Sequence, residues 1–220
     1  MKTTLKAFLF EEESAIRHMT ASYEGKNLSV EEIHQLPEPS PSNFEGKYRV
    51  GSVYFDNHDG MGAVPDNRNV EYKGFVAMLK PADFLRLAAN HNGQREQSAA
   101  DLKQMIEGGY PIGAPFIDIS LSDIEEGGFA VVLGHEGRAR MLAILSLARD
   151  GKLGLTSSSE IPVHFFLRDG LRSRHITDEM INSIKENGII PEDERRNPPK
   201  SAEKLKVFKE IYINQKKIEL

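Results

Sequence analysis

The sequence predicts an α+β protein, a small mixed β-sheet with flanking helices, and three observations carry the prediction. Short runs rich in β-branched and aromatic residues are interleaved with segments of helical apolar period. Phe129 to Leu133 is a continuous apolar run, as expected of a strand buried on both faces. That run meets Gly134-His135-Glu136-Gly137 and passes into a further helical pattern. At 220 residues the chain is long enough for one substantial core. It divides into an N-terminal extension with a Pro-rich linker (1–47), an α+β core (48–175) and a C-terminal helical extension packed on that core (176–220).

In order, Tyr48 to Phe55 and Val70 to Leu79 read as two strands, joined by the turn-rich loop that starts at Asp56-Asn57-His58-Asp59. Pro81 suits a first helical position, and Phe84, Leu85, Leu87 and Ala88 form a stripe that ends near Asn92-Gly93. A second helix is expected from the capping pair Ser98 and Asp101, with Leu102, Met105 and Ile106 on one face and Gly108-Gly109 as its stop. Pro115 to Ile119 reads as a short strand and Phe129 to Leu133 as the central one. Arg138 to Asp150 follows as a helix, with Met141, Leu142, Leu145 and Ala148 inward and Gly151 at its end. Ile161 to Leu167 is a further strand. Thr177 caps a helix over Asp178 to Asn187, with Ile176 and Ile181 as its staple, and Gly188 ends it. From Ser201 onward, helix and strand both remain open.

Composition excludes several chemistries. With no cysteine there is no disulfide, no thiolate metal site and no cysteine nucleophile. A net charge of −5 gives no general attraction to nucleic acid, so any such contact needs a local basic patch. Lys6 interrupts the first apolar stretch, Glu11-Glu12-Glu13 follows it, and no run approaches a membrane span. A cytoplasmic protein is therefore expected.

The chemistry concentrates at the strand-to-helix turn. A strand that turns abruptly through glycines leaves unpaired N–H groups at the helix start, a setting that receives phosphate. Gly134 and Gly137 allow the turn. Arg138 and Arg140 can add charge-assisted bonds, His135 offers a proton-transfer or metal-binding nitrogen, and Glu136 can orient an arginine or hold a cation. The plain alternative is a tight corner with its charges in solvent.

Gly108-Gly109-Tyr110-Pro111-Ile112, the strand Pro115 to Ile119, and Val131-Val132-Leu133-Gly134-His135-Glu136-Gly137-Arg138 with its helix together resemble the ParB/sulfiredoxin-like superfamily over roughly residues 70–167. Ile161-Pro162-Val163-His164 looks like that family's next strand. The resemblance implies a mixed-sheet core that binds a nucleotide phosphate and, in several branches, hydrolyses or transfers it with a divalent cation. It thus implies ATP or CTP with Mg²⁺ as cofactor. His135 stands where sulfiredoxins carry cysteine, so their sulfinic-acid chemistry does not carry over. The turn is one residue longer than Gly-x-x-Arg, which leaves the family arginine open between Arg138 and Arg140. With no evident partition-type DNA-binding region, the chain also resembles phage accessory enzymes.

Arg168, Arg172, Arg174 and His175 follow the strand Ile161 to Leu167, and they complete an anion site if that strand lies parallel beside Phe129 to Leu133. In that arrangement Arg172 binds phosphate, and Arg174 and His175 act on developing charge or protons. A solvated basic loop is the alternative. His164 reads as a core histidine rather than a ligand. The leading expectation is a nucleotide-dependent phosphotransferase or hydrolase. A ParB-like nuclease, which would make nucleic acid a partner, and a non-catalytic ligand- or protein-binding protein stand beside it.

Overall fold

The computed structural model describes residues 26–57, 74–89, 95–120, 130–167, 178–194, 210–213 and 216–219. In chain order these form α1 (Val30–His34), β1 (Lys47–Val50), β2 (Val53–Asp56), β3 (Gly74–Leu79), α2 (Pro81–Leu87), α3 (Arg95–Glu107), β4 (Phe116–Ser120) and β5 (Ala130–Glu136). Then come α4 (Arg138–Arg149), β6 (Ile161–Leu167), α5 (Asp178–Asn187), β7 (Ile189–Ile190), a 3₁₀ turn (Glu192–Glu194), β8 (Glu210–Ile213) and β9 (Lys216–Glu219). Among the described residues, seven strands make one mixed sheet in the order β7-β5-β4-β6-β3-β8-β9, and β1-β2 is a separate antiparallel hairpin.

Strand β3 turns one face to the core. Along β3, Phe75, Ala77 and Leu79 are buried while Gly74, Val76 and Met78 are partly exposed, the period-2 pattern of a strand with one inward side. Their partners on antiparallel β6, Phe165, Val163 and Ile161, are buried with them, and Phe75 stacks on Phe165 at 4.8 Å between ring centroids. Helices α2 and α3 both pack on α4, which contributes Met141, Ile144 and Leu147 to the same core.

Helix ends follow local chemistry. Pro81 opens α2 behind Lys80. At the end of α3, Gly109 N–H reaches Ile106 O and Tyr110 N–H reaches Met105 O, both at 3.1 Å; at the end of α4, Gly151 and Lys152 bond Ala148 O and Leu147 O in the same way. Both are Schellman closures, with glycine in the left-handed position.

Several expectations are corrected. Tyr48 to Phe55 is a hairpin rather than one strand, turning at Gly51-Ser52 with Val50 opposite Val53. Ser98 lies inside α3, which begins at Arg95, so it is no cap. Strand β5 is not central: β6 holds the middle, and β5 is separated from the sheet edge only by two-residue β7. Burial along β5 alternates instead of covering both faces.

The segment 176–220 is not wholly helical: besides α5 it supplies β7, β8 and β9, which join the sheet, and Ile211 is fully buried. Without β8, β3 would present an unpaired edge. Of the N-terminal extension, residues 26–47 pack on the core through Ile33 and Phe44, and Phe44 meets Tyr212 of β8 edge-on at 5.3 Å. Residues 1–25 lie outside the described part.

Candidate functional site

Strand β5 runs further than its apolar run does. Gly134, His135 and Glu136 pair antiparallel with Asp118, Ile117 and Phe116 of β4, so they are strand residues and the turn is Gly137 alone. Gly137 sits at φ +102° as the N-cap of α4, and a Cβ there would come within 2.6 Å of the Pro115 Cβ. Both the left-handed backbone and the contact with Pro115 call for glycine. Gly134 is different, since a Cβ on it would meet only Asp118 Oδ2, at 3.8 Å.

His135 is held by a carboxylate that the sequence reading missed. Its Nδ1 lies 2.6 Å from Glu192 Oε2, and the two side chains are only 2% and 10% exposed. The same oxygen accepts from the Ala89 backbone N–H at 3.1 Å. Phe84 of α2 presents an edge-on ring 6.3 Å from the imidazole. Glu192 arrives because β7 pairs parallel with β5, with Ile189 beside Ala130 and Ile190 beside Val131, and the chain continues along β5 into the 3₁₀ turn. No local motif marks this residue.

The two arginines brace the turn. Arg138 Nη1 donates to the carbonyl oxygens of Leu85, at 3.1 Å, and of Ala88, where α2 ends and its last carbonyls have no partner within the helix. Arg140 Nη1 donates to Gly113 O at 2.6 Å and Ala114 O at 3.3 Å, while Nη2 meets Glu136 Oε1 at 2.7 Å. The Gly113-Ala114 segment is held in turn by β2: Ile112 exchanges backbone bonds with Tyr54 and Asp56, and Asn57 Oδ1 accepts from Ala114 N–H at 2.7 Å.

The described bonds of Arg138 and Arg140 run to protein oxygens, and in these bonds both side chains act as internal struts. Glu136 is engaged by Arg140, and among the described residues no group of three or more His, Asp or Glu side chains is placed to hold a metal ion.

Arg172, Arg174 and His175 lie outside the described residues. Strand β6 does not lie parallel beside β5. Strand β4 separates β5 from β6, and it runs antiparallel to the first and parallel to the second. Leu167 therefore stands beside Ile119 at one end of β4, while Glu136 stands beside Phe116 at the other.

Comparison with family models, curated proteins and solved structures finds no match. The site is therefore read from its own chemistry.

Two further polar side chains have structural settings. His164 Nε2 is out of solvent contact without a hydrogen-bond partner, though part of the residue reaches the surface. Burial of the ring pushes its pKa down to about 4, partly offset by a hydrogen bond with the Phe44 backbone. Asp56 pairs with Lys47 at 3.1 Å and accepts from the Tyr54 hydroxyl at 2.9 Å, a structural role on β2. Among the described residues no helix is long and apolar enough to cross a membrane.

Proposed function

We propose that the chain is a cytoplasmic nucleotide-dependent enzyme of ParB/sulfiredoxin-like build. In this reading His135 transfers a proton while the first turn of α4 receives a phosphate. The reaction class is phosphoryl transfer or hydrolysis on a nucleoside triphosphate, ATP or CTP. One observation carries the proposal: His135 stands at the strand-to-helix junction with Nδ1 bonded at 2.6 Å to a carboxylate, the pairing that orients an imidazole for acid–base work.

A second feature supports it. Helix α4 has 12 residues, no side-chain cap and no acidic residue in its first turn, so nothing negative on the helix competes with an incoming anion. Arg138 and Arg140 keep this turn rigid by anchoring it to α2 and to Gly113-Ala114.

The test is calorimetric and thermal-shift titration of the full chain with ATP and CTP, with and without Mg²⁺, and with single-stranded DNA. A triphosphate at a hundred times its dissociation constant is expected to stabilise the protein by about 2.7 kcal/mol. His135→Gln is expected to keep that binding and lose turnover. A chain that responds to neither triphosphate overturns the reading, and a response to DNA alone turns it into the nuclease alternative.

A further inference from the structure

We propose that Glu192 is the positioning carboxylate of His135: it holds the neutral ring as the Nδ1–H tautomer and so assigns the proton-accepting role to Nε2. The inference rests on the reading of His135 as the acid–base group. Its own premise is the geometry at one oxygen atom. Glu192 Oε2 meets both the Ala89 N–H and His135 Nδ1. A backbone N–H can only donate, so towards Ala89 the oxygen accepts. The contact at 2.6 Å needs a proton between nitrogen and oxygen, and an imidazole is the more basic partner, with an ordinary pKa of about 6.5 against about 4.3 for a glutamate. The proton therefore belongs to Nδ1, and the carboxylate accepts twice.

The surroundings reinforce this arrangement. Both side chains are nearly out of solvent, so water does not average their orientation. Ala89 follows Ala88, whose carbonyl oxygen accepts from Arg138, so α2, β5, α4 and the 3₁₀ turn meet at one bonded junction. Seating of the turn that carries Glu192 completes the site.

The test uses long-range ¹H–¹⁵N correlation spectra of the full chain labelled with ¹⁵N-histidine, with the His135 signals identified by their loss in His135→Gln. At about pH 8, above the ordinary histidine range, the proton is expected on Nδ1. A wild-type ring protonated only on Nε2 overturns the proposal, whatever any variant does.

Glu192→Leu supplies the second arm. Its side chain offers Nδ1 no acceptor, so His135 should lose its Nδ1–H preference and switch towards the Nε2–H tautomer. Nucleotide turnover should then fall by roughly a hundredfold to ten-thousandfold with KM little changed. An unchanged His135 spectrum in Glu192→Leu overturns the positioning role. Should the tautomer switch while the wild-type chain turns over no nucleotide, Glu192 keeps its role and the proposed enzymatic function is the part that fails.

Discussion

Arg140 and Gly113 are joined by a 2.6 Å hydrogen bond from guanidinium to backbone carbonyl, across 27 residues of sequence and with the arginine side chain 6% exposed. The other end of the guanidinium meets Glu136, whose side chain is 61% exposed. The two ends should therefore differ in energetic weight. Arg140→Ala strands buried carbonyl oxygens at Gly113 and Ala114, each costing roughly 1–3 kcal/mol, whereas Glu136→Ala removes a solvent-screened partner and should cost under about 1 kcal/mol. Urea unfolding of both variants checks the contrast, and equal losses would contradict it.

The two glycines of the turn should separate as well. Gly137→Ala places a Cβ against Pro115 on a left-handed backbone and should destabilise by about 1–3 kcal/mol. Gly134→Ala adds only an ordinary contact with Asp118 inside a strand, where a glycine itself costs roughly 0.5–1 kcal/mol, so stability should stay level or rise slightly. Thermal melts of the two proteins decide this.

Arg138→Ala should not be silent for the fold. Read from sequence alone, the side chain is a surface charge whose loss leaves the fold nearly intact. Its bonds to Leu85 and Ala88 make the expected loss about 1–3 kcal/mol. Arg138→Lys should recover part of it, because an ammonium lacks the planar fork that spans two carbonyls. Denaturation midpoints measured without any ligand isolate this effect from binding.

His164 predicts an acid limb of stability. Its folded pKa of about 4 lies below the ordinary 6.5, so between these values the unfolded chain binds the proton and the folded chain does not. Its contribution is whole above about pH 6.5 and falls as pH drops, by about 3 kcal/mol when pH 4 is reached. His164→Phe, set among Phe116 and Phe166, should flatten this part of the profile relative to wild type. Parallel slopes for the two proteins from pH 6.5 to 4 would remove His164 as the cause.

What the sequence by itself determined about this protein is what neighbours along the chain decide. Gly108-Gly109 and Gly151 stop their helices because a glycine one step past the end takes the left-handed turn that closes the last carbonyls. Ile161 to Leu167 and Asp178 to Asn187 were legible because their apolar period lies within the segment itself, with Gly188 directly after the helix as its stop. The mixed α+β character follows from the same local signals.

Tertiary structure decided the rest. That β5 continues through Gly134 to Glu136 depends on β4 lying beside it with free backbone groups to pair. That Arg138 and Arg140 are struts depends on carbonyl groups brought from α2 and from the segment held by β2. That His135 has a carboxylate depends on β7, which carries Glu192 to it across 57 residues. In each case the residue type states what bond can be made, while the partner is chosen by strand pairing between distant segments, for which no local spacing exists.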